Sequence, residues 1–309
     1  MSEILVFGHK SPDTDSICSA IVMADLEQYL GYDTAIACRL GEINKETKYA
    51  LDYFKVDAPK YIESIKEGTP VILVDHNEFA QSVDGIEKAK IMKVLDHHRI
   101  CGFQTAEPLF YMAQPVGCTS TILYEIYKVN SSKPLSKTNA GLMLSAIISD
   151  TLLLKSPTTT KKDVTAVEEL AKFCDIDYKT YGLEMLKAGT DLSDYSPEQL
   201  LEIDAKCVDM NGNKVKIAQV NTVDIEDVLK NQDALENAIN KKIEEENLDL
   251  FMFAITDIVN SNSEAIVLGK RTDIVEKAYN VKLENNRVFL PGVVSRKKQI
   301  IPLIISKLN

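Results

Sequence analysis

Within the run Gly8-His9-Lys10-Ser11-Pro12-Asp13-Thr14-Asp15-Ser16, one histidine and two aspartates fall inside seven positions. Mixed nitrogen and oxygen donors at such spacing suit a borderline divalent cation. Asp13 or Ser16 could instead cap a following helix, since both residue types are favoured there, but capping explains one aspartate and leaves the second and the histidine unaccounted for. The chain has four histidines, and all lie in short acidic motifs of its first third. His76 follows Asp75 in Val74-Asp75-His76-Asn77-Glu78, and His97 and His98 follow Asp96 in Leu95-Asp96-His97-His98.

Each motif is preceded by a short apolar run, at residues 4–7, 71–74 and 91–95. In an open parallel sheet, residues just beyond the carboxyl ends of the strands converge on one crevice. Three such ends would deliver His9, Asp13, Asp15, Asp75 and His97 to one place. The surrounding pattern supports that sheet: a helix over 17–30, a strand over 34–38, a helix over 45–54, a strand over 109–113 and a helix from about 118 to 127. Alternating strands and helices predict a parallel sheet with covering helices.

Residues 139–150 form an unusually apolar helix ending in Ser149-Asp150-Thr151. A carboxylate at a helix carboxyl end opposes the macrodipole, at a cost of a few tenths to ~1 kcal/mol unless a cation compensates. On its own Asp150 reads as a loop carboxylate. Two helices, 162–174 and 178–187, close the first domain, and the polar stretch 189–197, with Gly189 and Pro197, reads as a linker. Beyond it are a short helix at 197–201, a hairpin of 205–209 and 214–220 joined through Asn211-Gly212-Asn213, a long amphipathic helix at 232–246, and strands at 250–259, 264–268 and 287–294. The last strand delivers Ser295-Arg296-Lys297-Lys298-Gln299 ahead of a final helix with Pro302 in its first turn. Basic runs are usually solvated surface, but three positive charges before a helix amino terminus make sense mainly if an anion lies between.

The 309 residues are comfortable for two domains. A net charge of −11 argues against a nucleic-acid partner. The amino terminus enters a strand at once, with no signal stretch and no run of ~20 apolar residues, so a cytoplasmic protein without a membrane partner is expected. Six scattered cysteines contain no C-x-x-C pair, which suggests neither a zinc knuckle nor a redox motif.

In order and spacing, GHKSPDTDS, VDHNE, LDHHR and the 295–299 segment resemble the family II, manganese-dependent inorganic pyrophosphatases of the DHH phosphoesterase superfamily. The resemblance runs from residue 4 to the end. The short interval between Asp75 and Asp96 leaves no room for the regulatory nucleotide-binding (CBS) domains that some members carry. It implies an α/β protein with a parallel-sheet, Rossmann-like DHH domain at 1–188, a linker at 189–197 and a smaller substrate-binding α/β domain at 198–309, the active site lying in the cleft between them. It also implies two Mn²⁺ per subunit, with Co²⁺ as a substitute, one surrounded by His9, Asp13, Asp75 and Asp150 and the other by Asp15, Asp75, His97 and Asp150. Asp75 and Asp150 would bridge. Two such cations cancel the formal charge of four carboxylates, so nearby Lys and Arg can dominate the field.

The implied reaction is hydrolysis of pyrophosphate to two phosphates by a metal-bridged hydroxide. Lys206, which by itself is only a lysine on a strand, would join Arg296 and Lys297 on the phosphates, with His98 donating a hydrogen bond or proton. Mg²⁺ would arrive with the substrate. Asp96 and His76 fit supporting roles around the ligands, and a homodimer formed through the first domain is expected. The competing enzyme reading is a short-chain exopolyphosphatase or another DHH phosphoesterase; against nucleotide substrates stand the absence of Trp, of a Gly-rich substrate loop and of a basic and aromatic cluster. A metal-dependent sensor would need the ligands but not Arg296 and Lys297.

Overall fold

The computed structural model describes residues 3–129, 133–210 and 212–306. The chain divides into two compact units, Met1–Gly189 and Thr190–Asn309.

In the first unit, β1 (Ile4–Phe7), α1 (Thr14–Tyr29), β2 (Ala35–Arg39), α2 (Lys45–Phe54), β3 (Lys60–Tyr61), β4 (Pro70–Val74), β5 (Lys90–Asp96) and β6 (Phe110–Ala113) are followed by four helices. These are α3 (Thr119–Val129), α4 (Lys137–Asp150), α5 (Lys161–Cys174) and α6 (Tyr178–Gly189). The six strands form one parallel sheet in the order β3-β2-β1-β4-β5-β6. The near-continuous apolar runs of β1 and β4 follow from burial on both faces of a parallel sheet. Val6, Ile72 and Val74 join the core that includes α1 and α4, while Phe7, Val71 and Leu73 join the core on the opposite face, as period-2 alternation requires. Residues buried along most of α1 and α4 explain why neither helix shows a polar stripe. β1 has β2 on one side and β4 on the other, so the strand order reverses there and a crevice opens beyond their carboxyl ends.

The second unit contains α7 (Pro197–Leu200), β7 (Lys206–Met210), β8 (Asn213–Thr222), α8 (Ile225–Leu229), α9 (Gln232–Glu246), β9 (Leu250–Asp257), β10 (Asn262–Gly269), α10 (Asp273–Tyr279), β11 (Arg287–Pro291) and α11 (Ile301–Ser306). Its five strands are ordered β11-β10-β9-β8-β7, with β8 and β9 parallel and the other pairs antiparallel. The parallel step demands a crossover, which α8 and α9 supply. Of the expected hairpin turn, Asn211 lies outside the described residues; Gly212 has φ +76 and donates its N–H to Asp209 Oδ1.

Three short elements, β3, α8 and α10, have no counterpart in the sequence reading. Two boundaries also differ at the basic segment. β11 stops at Pro291 rather than 294 because Gly292 turns the chain with φ +72, and Arg296–Ile300 is a π-helical turn running directly into α11. The basic residues therefore make up the helix's first turn instead of preceding it. Ser295 fixes that start, its Oγ accepting from Lys298 N, while Gln299 Oε1 accepts from the N–H groups of Val294 and Ser295. Among the described residues no helix is long and apolar enough to cross a membrane.

Candidate metal centre

The crevice residues are placed by the ends of β1, β4, β5 and α4. Beyond β1 the backbone passes so close to α1 that a Cβ at Gly8 would lie 1.8 Å from Ser16 Oγ, so only glycine fits. Asp13 caps α1, with Oδ1 accepting from Ser16 N at 2.9 Å, while its Oδ2 lies 3.4 Å from His9 Nε2. Cap and ligand are thus one residue, each oxygen taking one task. His9 donates from Nδ1 to Lys10 O at 2.7 Å, which turns Nε2 toward Asp13 and, also at 3.4 Å, Asp75.

Asp75 follows β4 with φ +61, a left-handed conformation that aspartate tolerates better than most residues. Its Oδ1 accepts from Thr119 Oγ1 at 3.2 Å and lies 3.3 Å from His97 Nε2. Its Oδ2 is buried and makes no hydrogen bond, an orphan acceptor of the kind that native interiors rarely keep without an ion or water. Asp15, in the first turn of α1 and fully buried, accepts from Thr119 N at 2.7 Å, Ser120 N at 3.2 Å and Ser19 Oγ at 2.6 Å. The amino terminus of α3 thereby holds a carboxylate from α1. His97 donates from Nδ1 to Val116 O at 3.1 Å, leaving Nε2 3.7 Å from Asp150 Oδ2.

Three sets of possible ligand atoms result among the described residues: His9, Asp13 and Asp75; Asp15, Asp75, His97 and Asp150; and Asp75, His97 and His98, each within 4.8 Å. Asp75 belongs to all three, and the first two correspond to the two expected cation sites, the first without Asp150. Without cations the centre recruits protons instead. Burial disfavours the charged form of His9, but Asp13 and Asp75 outweigh it and push the ring up to about 11; His97, likewise buried and facing Asp75 and Asp15, is pushed up to about 9. Burial and the charge of Asp75 raise Asp15 to about 6. Burial, then Asp15, Asp75 and Asp13, raises Asp150 well above the carboxylate range. Asp75, despite its burial, is held well below that range by His9 and His97. Orphan oxygen, two imidazoles with Nε2 turned inward and four carboxylates form a donor set that fits divalent cations of the manganese, cobalt or zinc kind.

After Asp150 the chain does something the sequence does not announce. Leu152, Leu153 and Leu154 take φ values of 46°, 56° and 66°, a left-handed turn costing roughly 1–2 kcal/mol per residue. Thr151 secures it, its Oγ1 donating to Ile147 O and accepting from Leu154 N, and its carbonyl accepting from Ser156 N. α4 consequently ends at Asp150 and cannot run on. Glu46, on α2, accepts from Thr14 Oγ1 and Ser149 Oγ, bracing the neighbours of two site carboxylates.

Asp96 accepts from His98 N, His98 Nδ1 and Asn77 Nδ2 at 3.0, 2.9 and 2.6 Å. The half-exposed His98 ring is raised above its usual pKa, first by that Asp96 bond. His76 is buried away from the cluster, between Val74 O and Ser82 Oγ. In the second unit Lys206 starts β7 and is exposed, as is Lys297. Arg296 is tied to Asp204 through Nη2–Oδ1 at 2.5 Å and Nε–Oδ2 at 3.3 Å, and its backbone N–H donates to Gln219 Oε1 at 2.8 Å.

The geometry missed by sequence reasoning is chiefly the turn at 116–121, which touches Asp15, Asp75 and His97. The sequence reading places the helix start itself at about 118, and α3 begins at Thr119; which side chains its first turn meets is set by the fold and not by that start pattern.

Comparison with known proteins is consistent along the whole chain. Residues 3–147 match the model of the DHH family, N-terminal domain, and residues 183–306 match the DHHA2 domain. The manganese-dependent inorganic pyrophosphatase of Bacillus subtilis is 56% identical over 305 residues, 98% of each chain. An Exiguobacterium protein named "Probable manganese-dependent inorganic pyrophosphatase" is 57% identical over the same span and coverage. The solved structure of a Methanococcus jannaschii protein assigned to the family II inorganic pyrophosphatases is 42% identical, covers 99% of each chain and superposes with a TM-score of 0.62.

Proposed function

The chain belongs to the manganese-dependent inorganic pyrophosphatase family, and from that premise we propose that it hydrolyses pyrophosphate to two phosphates with two Mn²⁺ per subunit. The observation that carries this reading is Asp75: one buried carboxylate, common to three ligand-grade clusters, with an oxygen that accepts no hydrogen bond and has only His9 Nε2, 3.4 Å away, as its ionic neighbour. His9, Asp13, Asp75 and Asp150 would hold one cation and Asp15, Asp75, His97 and Asp150 the other. When bound, such a pair supplies Lewis-acid charge and acidifies water near neutral pH. Co²⁺ substitutes for Mn²⁺ because both accept imidazole nitrogen, whereas Mg²⁺ prefers oxygen ligands and enters with the substrate.

The chain's own residues orient and neutralise. Backbone carbonyls of Lys10 and Val116 fix the Nδ1–H tautomers of His9 and His97, keeping Nε2 available. Asp96 holds His98 Nδ1, so that Nε2 can donate a hydrogen bond or a proton to a phosphate oxygen. Arg296 and Lys297, with Lys206, provide the positive charge that a tetra-anionic substrate and its leaving phosphate need. Charge placement of this kind is the main catalytic tool in phosphoryl transfer.

Three further readings belong to the same proposal. The metal-binding domain is 1–188, the linker 189–197 and the substrate-binding domain 198–309. The protein is a cytoplasmic homodimer. Pyrophosphate, and neither nucleic acid nor a membrane, is its partner.

The test is phosphate release from pyrophosphate, tripolyphosphate and a dinucleotide after reconstitution with Mn²⁺, Co²⁺ or Mg²⁺. Pyrophosphate with Mn²⁺ should give the highest kcat/KM. Faster turnover of tripolyphosphate or the dinucleotide would overturn the assignment in favour of another phosphoesterase.

A further inference from the structure

Asp163 lies in the first turn of α5, within no proposed ligand set, yet it is fully buried, and no Lys, Arg or His pairs with it among the described residues. Its Oδ2 accepts from Thr160 N at 2.7 Å and Thr160 Oγ1 at 2.6 Å, which caps α5. The same oxygen accepts from Gly117 N at 2.9 Å, and Oδ1 accepts from Thr121 Oγ1 at 2.6 Å. Capping accounts for the first two bonds only, and an exposed aspartate would cap as well without the cost of burying a charge.

The two remaining bonds clamp the turn at 116–121 at both ends. Val116 O, in the same peptide unit as the clamped Gly117 N, accepts from His97 Nδ1, and between the clamps Thr119 N and Ser120 N hold Asp15 while Thr119 Oγ1 reaches Asp75. A Cβ at Gly117 would fall 2.8 Å from Thr151 Cγ2 and 3.0 Å from Asp163 Oδ2, so the turn also packs against the residue following Asp150. Three members of one four-residue ligand set therefore take their orientation from six consecutive residues, and those residues are anchored by one carboxylate.

We propose that Asp163 is a positioning residue for the metal centre, setting its affinity and turnover through the 116–121 turn. The inference rests on the reading of the centre as a Mn²⁺ site. Hydrogen-bonded groups behind ligands are typically worth about 10- to 100-fold in metal affinity, and here one group stands behind three ligands at once.

The full-length chain with Asp163→Ala, Thr121→Val or Thr160→Ala can be compared with wild type by Mn²⁺ titration followed by electron paramagnetic resonance, by kcat and KM for pyrophosphate, and by Tm in chelator. Thr160→Ala removes a capping bond without touching the turn. It should lower Tm while leaving Mn²⁺ affinity within about twofold. Asp163→Ala should weaken Mn²⁺ binding by about 10- to 100-fold and lower kcat at saturating metal with KM little changed. Should Asp163→Ala fail to fold, Thr121→Val decides: it keeps the shape, the cap and the bond to Gly117 but removes the donor to Asp163 Oδ1, and Mn²⁺ affinity should still fall several-fold. A folded Asp163→Ala or Thr121→Val variant with wild-type Mn²⁺ affinity overturns the proposal, as does a Thr160→Ala variant that loses as much affinity as Thr121→Val. A wild-type chain that binds no Mn²⁺ would remove the centre itself and the inference with it, an outcome distinct from either.

Discussion

The crevice of the first unit and the basic turn of the second are both charged and both held by hydrogen bonds, but by opposite means. In the crevice the charged groups are buried, and backbone amides, hydroxyls and carbonyls hold the side chains themselves: Asp15 by three donors, His9 and His97 by carbonyls behind the ring. At 295–299 it is the backbone that is held, by Gln219, Gln299 and Ser295, while Lys297 is exposed and Arg296 leans on an Asp204 carboxylate that is itself largely exposed. One region is preorganised around its charges; the other keeps Arg296 on an exposed partner that a bound anion could replace. Substitutions in the first should therefore remove metal, and substitutions in the second should remove rate alone.

The largest expected effect is at Asp75. Asp75→Asn keeps the shape but takes away the charge shared by both expected cation sites, so metal content should drop below two per chain and activity by ~10³-fold or more, beyond the loss of one preorganised donor. A variant retaining two Mn²⁺ at wild-type affinity would show that Asp75 does not bridge. Next comes Arg296→Ala, for which metal affinity should be unchanged and kcat/KM lower by ~10²- to 10³-fold, or roughly 2.7–4 kcal/mol. Loss of Mn²⁺ in this variant would erase the contrast between the regions.

A smaller effect separates them by pH. His97 and His9 have folded-state pKa values raised from 6.5 to about 9 and about 11 in the metal-free protein. Their stabilising contribution is complete below the unfolded value and is lost as pH rises through the folded ones. Thermal melts in chelator should therefore fall from about pH 7 to about pH 9.5, with little fall in the same range for the Mn²⁺-loaded protein. Because neutral rings are needed for coordination, adding Mn²⁺ at neutral pH should also release protons; an indicator dye that records no acidification would refute this protonation scheme. The smallest effect is at Asp204: removing an exposed pairing partner by Asp204→Asn should cost ~0–1 kcal/mol of stability and shift KM for pyrophosphate only a few-fold. An effect as large as that of Arg296→Ala would mean that the pair, and not the arginine alone, is what catalysis uses.

The strand ends were legible because chemistry and periodicity coincide there: apolar runs of four or five residues are followed within two positions by His or Asp, and a parallel sheet gathers such ends. Asp13 shows where spacing underdetermines role, since capping and facing His9 looked like rivals and turned out to occupy different oxygens of one carboxylate. The short β3, α8 and α10 were missed because two to seven residues carry too little period to register. The π-helical start at Arg296 was missed because a run of Arg and Lys before a proline-containing helix reads as loop, and the side chains that fix it, Gln219 and Gln299, act across the fold or backward along the chain. Asp163 was illegible for a related reason: its partners at 117 and 121 are more than forty positions away in sequence.

The left-handed leucines after Asp150 have a consequence for how the protein tolerates mutation. At most positions of a folded chain, glycine is the costly choice. At 152–154 the sign of the backbone contribution reverses, because glycine adopts positive φ without the clash that leucine suffers. What opposes glycine there is packing: Leu153 and Leu154 lie against the first unit's core, and Leu153 Cδ1 fills the space that a Cβ at Gly182 would need. The segment beside Asp150 is thus held between two nearly balanced demands, so its mutational landscape should be flat in stability and steep in activity. Stability–activity trade-offs concentrate in such places, and a search for more robust variants of this protein would find its most misleading gains within four residues of Asp150.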